Sequence, residues 1–267
     1  CILGISKSGR TTLLNFLLSE ADKYKPTIIH IVDDSDSSLY IKAKGGQWIQ
    51  RSKNLFNPLD LEDNEQNQSF CFGFFQILSK HHFDPLMESE LNLLKNISVQ
   101  VFSIPRKERK LSSIIETIDD SESGKTLKKR FKEYVKDGLY YELFESQEEM
   151  LIAPGDIIAI NLEEYDDIAY KDKFFPKEVK LVEEYEYNLN TMRSVKVAIV
   201  YSMKNLLIKV GKDPKIFAID NMAAIFNLKF YSSLLPEISE DIKTANGVFI
   251  NTVNVHILED LYADGHT

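Results

Sequence analysis

No run in this chain approaches the roughly 20 consecutive apolar residues that a membrane span needs, so no transmembrane segment is expected. Positive charge is in deficit: 32 Lys and Arg stand against 41 Asp and Glu, giving a net charge of −9. Sequence-independent nucleic-acid binding draws on basic surface, so general binding of that kind is not expected. Two cysteines, Cys1 and Cys71, are too few for a disulfide framework and fit a reducing compartment. Cys71, between Phe70 and Phe72, reads as a buried, inert thiol. His81-His82 has no Cys or carboxylate at metal-ligand spacing, and His30, His256 and His266 are scattered, so no zinc site is expected. Initiator methionine and signal peptide are both missing. The chain opens inside an apolar stretch, Cys1 to Leu3, and reads as an excised domain that lacks the N-terminal part of a longer protein.

What is present is enough for a sizeable core: 267 residues, 43% hydrophobic, with 16 Phe. Strand-like and helix-like segments alternate. Cys1 to Leu3 reads as a strand and Thr11 to Glu20 as a helix with Leu13, Leu14, Leu17 and Leu18 on one face. "TIIHIV" (27–32) is a continuous β-branched run, the mark of a strand buried on both faces. "SLYIKA" reads as a further strand. From roughly Asn64 to Gly138 the pattern is helical, broken near Pro85, Pro105 and "DDSESG". "GDIIAINL" (155–162), "KIFAID" (215–220) and "GVFINTV" (247–253) read as strands. A long helix covers about Tyr185 to Val210, and another starts near Phe226. The Lys/Glu-rich patch from Tyr170 to Glu186 reads as a solvated insertion. Such alternation implies crossovers and a mostly parallel sheet, hence an α/β fold of one domain with a helical insertion at about 64–138.

The opening "GISKSGRTT" has the Gly4-x4-Gly9-x-Thr11 spacing of a phosphate-gripping loop. Such loops need glycines to turn backbone N–H groups inward, a following helix N-terminus, a lysine for the β- and γ-phosphates, and a hydroxyl on Mg²⁺. The candidate nucleotide-binding residues are Gly4, Ile5, Ser6, Lys7, Ser8, Gly9, Arg10, Thr11 and Thr12. Arg10 stands where the lysine belongs. It keeps the charge but replaces a compact ammonium by a planar fork, and its bland alternative is a surface helix residue. Lys7 reads either as a compensating phosphate ligand or as a solvated side chain. "SESGKT" (121–126) contains Gly-Lys-Thr, but aspartate stands at 119 and no strand precedes it, so it reads as a helix start.

A phosphate loop calls for an aspartate at the end of a neighbouring strand to hold the Mg²⁺ shell. "KIFAIDNM" supplies Asp220, so Thr11 and Asp220 are the candidate metal-side pair. The next residue, where an acid would polarise water, is Asn221, and an amide is no general base.

In their order these motifs resemble the C-terminal ATPase domain of the type IV secretion and conjugation ATPases (the CagE/TrbE/VirB family), relatives of the FtsK–HerA motors. The matching segments are "GISKSGRTTLLNFLLSE", "IIHIVDD", Gly45-Gly46, "NPL" at Asn57 to Leu59, a leucine-rich helix leading to Gly138, "GKDPKIFAIDNM" and "ANGVFINTV". The resemblance implies a RecA-like P-loop NTPase domain, ATP and Mg²⁺ as ligands, and other type IV secretion components as partners. It also implies a homo- or hetero-oligomer beside an intact paralogue, and a cytoplasmic position at the inner-membrane face.

Departures from the family pattern cluster on catalysis. Family loops read G-x-x-G-x-G-K-T; here Lys7 replaces the middle glycine and Arg10 the lysine. The acidic pair becomes Asp220-Asn221. A Thr-Gln that senses the γ-phosphate in the family becomes Thr252-Val253. An Arg-Lys pair before "NG" becomes Lys243-Thr244, and no arginine follows Arg193 to act as a finger. Arg10, Asn221 and Val253 are therefore read as degenerate catalytic positions. The resemblance implies either a subunit impaired in hydrolysis and kept for assembly, or an active ATPase energising transfer through the secretion channel.

Overall fold

The computed structural model describes residues 1–5, 7–32, 37–50, 57–79, 85–138, 141, 150–163, 181–222 and 234–255, with side chains in 181–191 left out. Its contacts divide the chain into two compact units, Cys1–Arg51 with Leu151–Ile168 and Met203–Thr267, and Ser52–Met150 with Ala169–Ser202.

The first unit is built on six strands: β1 (Ile2–Gly4), β2 (Thr27–Val32), β3 (Gln47–Ile49), β4 (Ile157–Asn161), β5 (Lys215–Ile219) and β6 (Gly247–Asn254). They form one sheet in the order β1-β6-β5-β2-β4-β3, and every pairing is parallel. This is the α/β, mostly parallel architecture expected from the alternating pattern. The uninterrupted apolar runs lie in the middle: all residues of β2 and β5 are buried. A central strand of a parallel sheet is covered on both faces, so it selects β-branched residues at consecutive positions, as in Ile28, Ile29 and Ile31.

Helix α1 (Arg10–Ala21) follows β1 directly. Leu14 and Leu18 are fully buried and pack with Ile28, Ile216 and Ala218, each leucine contributing roughly 2 kcal/mol relative to exposure. Leu13 and Leu17 were expected on the same face, but they are 46% and 39% exposed. The two pairs form adjacent i, i+4 rows about 100° apart around the helix, and the sheet takes only one of them.

"SLYIKA" is not a strand. It forms helix α2 (Ser38–Ala43), and the following Gly45-Gly46 stops it. Gly45 has φ 72°, and the Gly46 N–H donates to the Ile41 carbonyl at 2.9 Å. That is the left-handed helix ending glycine serves best. Helix α8 (Leu234–Thr244) packs against β6. Residues 223–233, where a helix was expected to begin near Phe226, lie outside the described residues, as do Ser6, Asp33-Asp34, His81-His82, His256 and His266.

The second unit is helical as expected, with α3 (Glu65–Leu78), α4 (Glu88–Gln100), α5 (Leu111–Glu116) and α6 (Glu122–Arg130). The first residues of α7 (Leu181–Lys209) belong to it, and the boundary between the units falls inside that helix. Phe70 stacks on Tyr201 with ring centroids 4.0 Å apart, and Tyr201 donates to Asn67. Cys71 is fully buried, and burial pushes its thiol up to about 12, which leaves it inert. The "NPL" segment is fixed locally: Asn57 Oδ1 accepts from the Leu59 N–H, and Asn57 Nδ2 donates to the Arg109 carbonyl. Arg109 in turn donates to the Leu61 carbonyl at 2.7 Å and the Ile104 carbonyl at 3.1 Å.

"SESGKT" is a helix start, as read. Ser121 caps α6 by accepting from the Gly124 N–H, and a Cβ on Gly124 would meet the Asp119 carbonyl at 2.2 Å. That glycine serves close packing. Among the described residues no helix is long and apolar enough to cross a membrane.

Candidate functional site

β1 ends at Gly4, and α1 begins at Arg10. Between them, Lys7 (φ 63°) and Gly9 (φ 83°) adopt left-handed backbone conformations. At Gly9 this is natural; at Lys7 an L-side chain bears a cost of about 1 kcal/mol. A glycine at Lys7's position would bear no such cost. The Ser8 N–H closes the turn on the Ile5 carbonyl at 3.3 Å. Gly4 has no room for a side chain, because a Cβ there would lie 2.4 Å from Ser8 Oγ and 3.2 Å from Arg10 Cγ. The stem of Arg10 therefore lies back across the end of β1. Its Nη1 is buried with no hydrogen-bond partner.

Gly9 caps α1 and brings no side chain to its first turn, which also contains no acid. The N–H groups of that turn have no intrahelical partner, and the helix dipole adds positive potential there. Thr12, Lys7, Ser8 and Ile5 are exposed around this end.

Thr11 points the other way. Its hydroxyl donates to Asp220 Oδ2 at 2.6 Å across 209 positions of sequence. Asp220 follows β5 and is 3% exposed, and its backbone N–H donates to the Ile31 carbonyl. The other carboxylate oxygen, Oδ1, accepts from the Asn221 N–H at 3.0 Å and from the Thr252 hydroxyl in a very short bond. Thr252 Oγ1 also accepts from the Asn221 N–H at 2.8 Å. The expected pair Thr11 and Asp220 is thus brought together. Asn221 adjoins it in a left-handed conformation, φ 54°, which asparagine tolerates better than most residues.

Val253 is 2% exposed on β6. Strand alternation sends its side chain to the face opposite Thr252, and hence away from Asp220. Thr252, named from the sequence only as a surviving family position, is a direct partner of the acid.

A second residue here is His30, in register with Ala218 on β5 and Ala159 on β4. Ile28, Ile216 and Ala218 pack beneath α1, so alternation puts His30 on that face too, with Asp220 and Thr252. His30 is fully buried and neither ring nitrogen has a hydrogen-bond partner. Burial lowers its pKa to about 4, with the Asp220 carboxylate acting in the opposite direction.

The unfolded chain therefore takes up a proton below pH 6.5 that the folded chain refuses until about pH 4. Stability is fully present above 6.5 and falls by about 3 kcal/mol as pH drops through that window. Urea unfolding midpoints measured from pH 7 to pH 4 should fall less steeply in His30→Leu than in wild type. Parallel curves would show that His30 carries no such linkage.

Among the described residues no three His, Cys, Asp or Glu side chains gather to hold a metal ion. The loop can accept an anion through open backbone N–H groups, and Arg10 adds a buried, unmatched donor. A phosphate fits both features.

No family model matches the chain. Among curated proteins it resembles the type IV secretion system protein PtlC of Bordetella pertussis, 29% identical over 131 residues, which is 46% of this chain and 16% of that protein. It also resembles the type IV secretion system protein virB4 of Bartonella quintana, 23% identical over 174 residues, or 62% of this chain and 22% of that protein. The chain thus matches under a quarter of the length of these relatives. Among solved structures, VirB4 of Thermoanaerobacter pseudethanolicus superposes with a TM-score of 0.69 at 14% identity, covering 95% of this chain and 68% of that one.

Proposed function

We propose that this chain, which is similar in sequence to the type IV secretion proteins PtlC and VirB4 as its motif order implied, forms an ATP-binding domain impaired in hydrolysis. It serves the assembly of a secretion apparatus and not its power stroke. The observation that carries the reading is the 2.6 Å bond between Thr11 and Asp220 beside an uncapped helix N-terminus. A strand–loop–helix turn and a distant strand end meet there in the arrangement a nucleotide's phosphates require.

In this reading residues 4–12 cradle the phosphates, and Thr11 and Asp220 face the metal side. Mg²⁺, when bound with a nucleotide, offsets phosphate charge. Hydrolysis is impaired because Arg10 is the wrong shape to place a γ-phosphate and Asn221 cannot orient or deprotonate water. The chain is read as a single ATPase-like domain with a helical insertion at roughly 64–138. It works at the cytoplasmic face of the inner membrane, in a homo- or hetero-oligomer with other secretion components, beside an intact paralogue. A second reading, an active ATPase that energises transfer, is favoured by the intact Thr11–Asp220 contact.

Nucleotide titration and a phosphate-release assay on the same protein separate the two. The expected result is measurable ATP binding without turnover. Thr11→Ala, which deprives a buried carboxylate of its donor, should weaken binding by about tenfold. Absence of any nucleotide binding would overturn the reading. Clear wild-type turnover that Thr11→Ala abolishes would favour the active ATPase.

A further inference from the structure

We propose that α1 is the contact surface of a symmetric dimer, in which the exposed apolar side of the helix packs antiparallel against the same helix of a second copy of this chain. Such a dimer gives the oligomer of the functional reading a defined contact, and rests on that reading in nothing else.

α1 is apolar on two sides, a pattern that belongs to a helix covered on both. Leu14 and Leu18 meet the sheet. One flank of the helix faces α2: Asn15 accepts from the hydroxyl of Ser37, just before α2, and Asp22 accepts from Lys44, just after it. At about 100° per residue, Leu13, Phe16 and Leu17 fall on the opposite flank. All three are exposed, Phe16 by 58%. That flank lies toward β6. Ile250 packs against the Leu14–Leu18 cluster, and Val248, two residues earlier on the same face of the strand, is 57% exposed. Tyr24, in the turn that ends the helix, is exposed as well. Single exposed leucines are ordinary, but a strip of this kind marks a contact surface.

Area and charge both select a second copy. The exposed parts of Leu13, Phe16, Leu17, Tyr24 and Val248 amount to roughly 500 Å² of mostly apolar surface. An interface of ordinary size covers about 800 Å² per partner, a little over half of it apolar. One strip against its own copy is therefore enough. The charged side chains among residues 1–20 are Lys7, Arg10 and Glu20, basic at one end of the helix and acidic at the other. Packed antiparallel about a two-fold axis, each Glu20 lies toward the basic end of the partner helix, and the two Glu20 carboxylates stay apart. Packed parallel, they would meet. In the antiparallel register Leu13 lies opposite Leu17 of the partner subunit, with Phe16 close to the axis, so the two ridges interdigitate.

Sedimentation velocity of the 267-residue chain without nucleotide, over about 1–100 µM, tests this. Wild type should pass from monomer to dimer within that range. Phe16→Ser should raise the dimer dissociation constant at least about 30-fold, and Leu13→Ser about tenfold. Glu20→Lys, which sets like charges against each other, should raise it about tenfold. Leu39→Ser, exposed on α2 and away from the strip, should leave it within about twofold. Thermal melting checks that each variant remains folded. Wild type that stays monomeric throughout overturns the proposal, whatever other molecule covers the strip. Self-association that both Phe16→Ser and Leu13→Ser leave intact also overturns it and puts the oligomer contact elsewhere. A dimer that Glu20→Lys leaves unchanged or tightens overturns the antiparallel packing. ATP binding is measured separately, and its absence would overturn the nucleotide reading while leaving the dimer standing.

Discussion

Arg10→Lys and Asn221→Glu, introduced together, are expected to raise ATP turnover at least about 100-fold above wild type, with either change alone falling well short. In the impaired-hydrolysis reading the two residues fail at different steps. Arg10 lies with its stem over Gly4, so the loop carries a positive charge in a shape unsuited to fixing a γ-phosphate for in-line attack. Asn221 adjoins Asp220 and shares its hydrogen-bond network, where an acid would orient water. A general base contributes about 10²–10⁴ and a positioned electrostatic contact a similar factor, so one correction leaves the other defect limiting. Asn221→Glu also has a conformational cost, because the backbone there has φ 54°. A glutamate in that region is disfavoured by about 1 kcal/mol, which lowers stability but leaves a folded protein. Val253 is left alone in this design, since it faces away from Asp220 and a glutamine there would bury an amide. Phosphate release measured on wild type, both singles and the double decides the matter. Wild-type turnover sensitive to Thr11→Ala would end the impaired-hydrolysis reading.

That experiment can be designed from sequence because the motif residues announce themselves chemically. Gly4, Gly9, Thr11 and Asp220 are recognisable by type and spacing, and the fold then closes 209 positions into one hydrogen bond. The strands β2 and β5 were equally legible, since a strand buried on both faces reads as a near-continuous apolar run. Legibility stops where an outcome depends on neighbours. "SLYIKA" alternates like a strand, yet the Gly45 and Gly46 bonds to the helix carbonyls decide for α2. Leu13 and Leu17 match Leu14 and Leu18 in every local respect, and only the sheet's position tells the rows apart. Thr252 and His30 went unrecognised as members of the site for the same reason. A threonine on the strand beside Asp220 matters only once β6 is known to lie next to β5. Strand order in a parallel sheet is set by crossovers and leaves no mark on the strands themselves.

Arg130→Ala is expected to destabilise the protein by about 3–5 kcal/mol, the largest single loss of stability foreseen here. Arg130 on α6 and Glu90 on α4 have side chains only 4% and 0% exposed. Their contact is two-pronged, Nε to Oε1 at 3.0 Å and Nη2 to Oε2 at 3.4 Å. Arg130 further donates to the Ser79 carbonyl at 3.2 Å, just past the end of α3. Glu90 in turn accepts from the Met87 N–H at 2.7 Å, closing the first turn of α4. One guanidinium thus joins three helices through groups that water does not reach. Removing it strands a buried carboxylate and an unpaired carbonyl, and the cost comes from that desolvated charge and not from the lost attraction. The exposed pair Lys128–Asp120, at a similar 2.9 Å, should by contrast contribute little, because water screens both groups. The same reasoning predicts that Arg130→Met combined with Glu90→Leu restores most of the loss, because no charge is then left buried. Urea unfolding of the two single variants and the double, followed by circular dichroism, measures all three. A loss below about 1 kcal/mol in Arg130→Ala would mean that water reaches this pair as freely as it reaches Lys128 and Asp120.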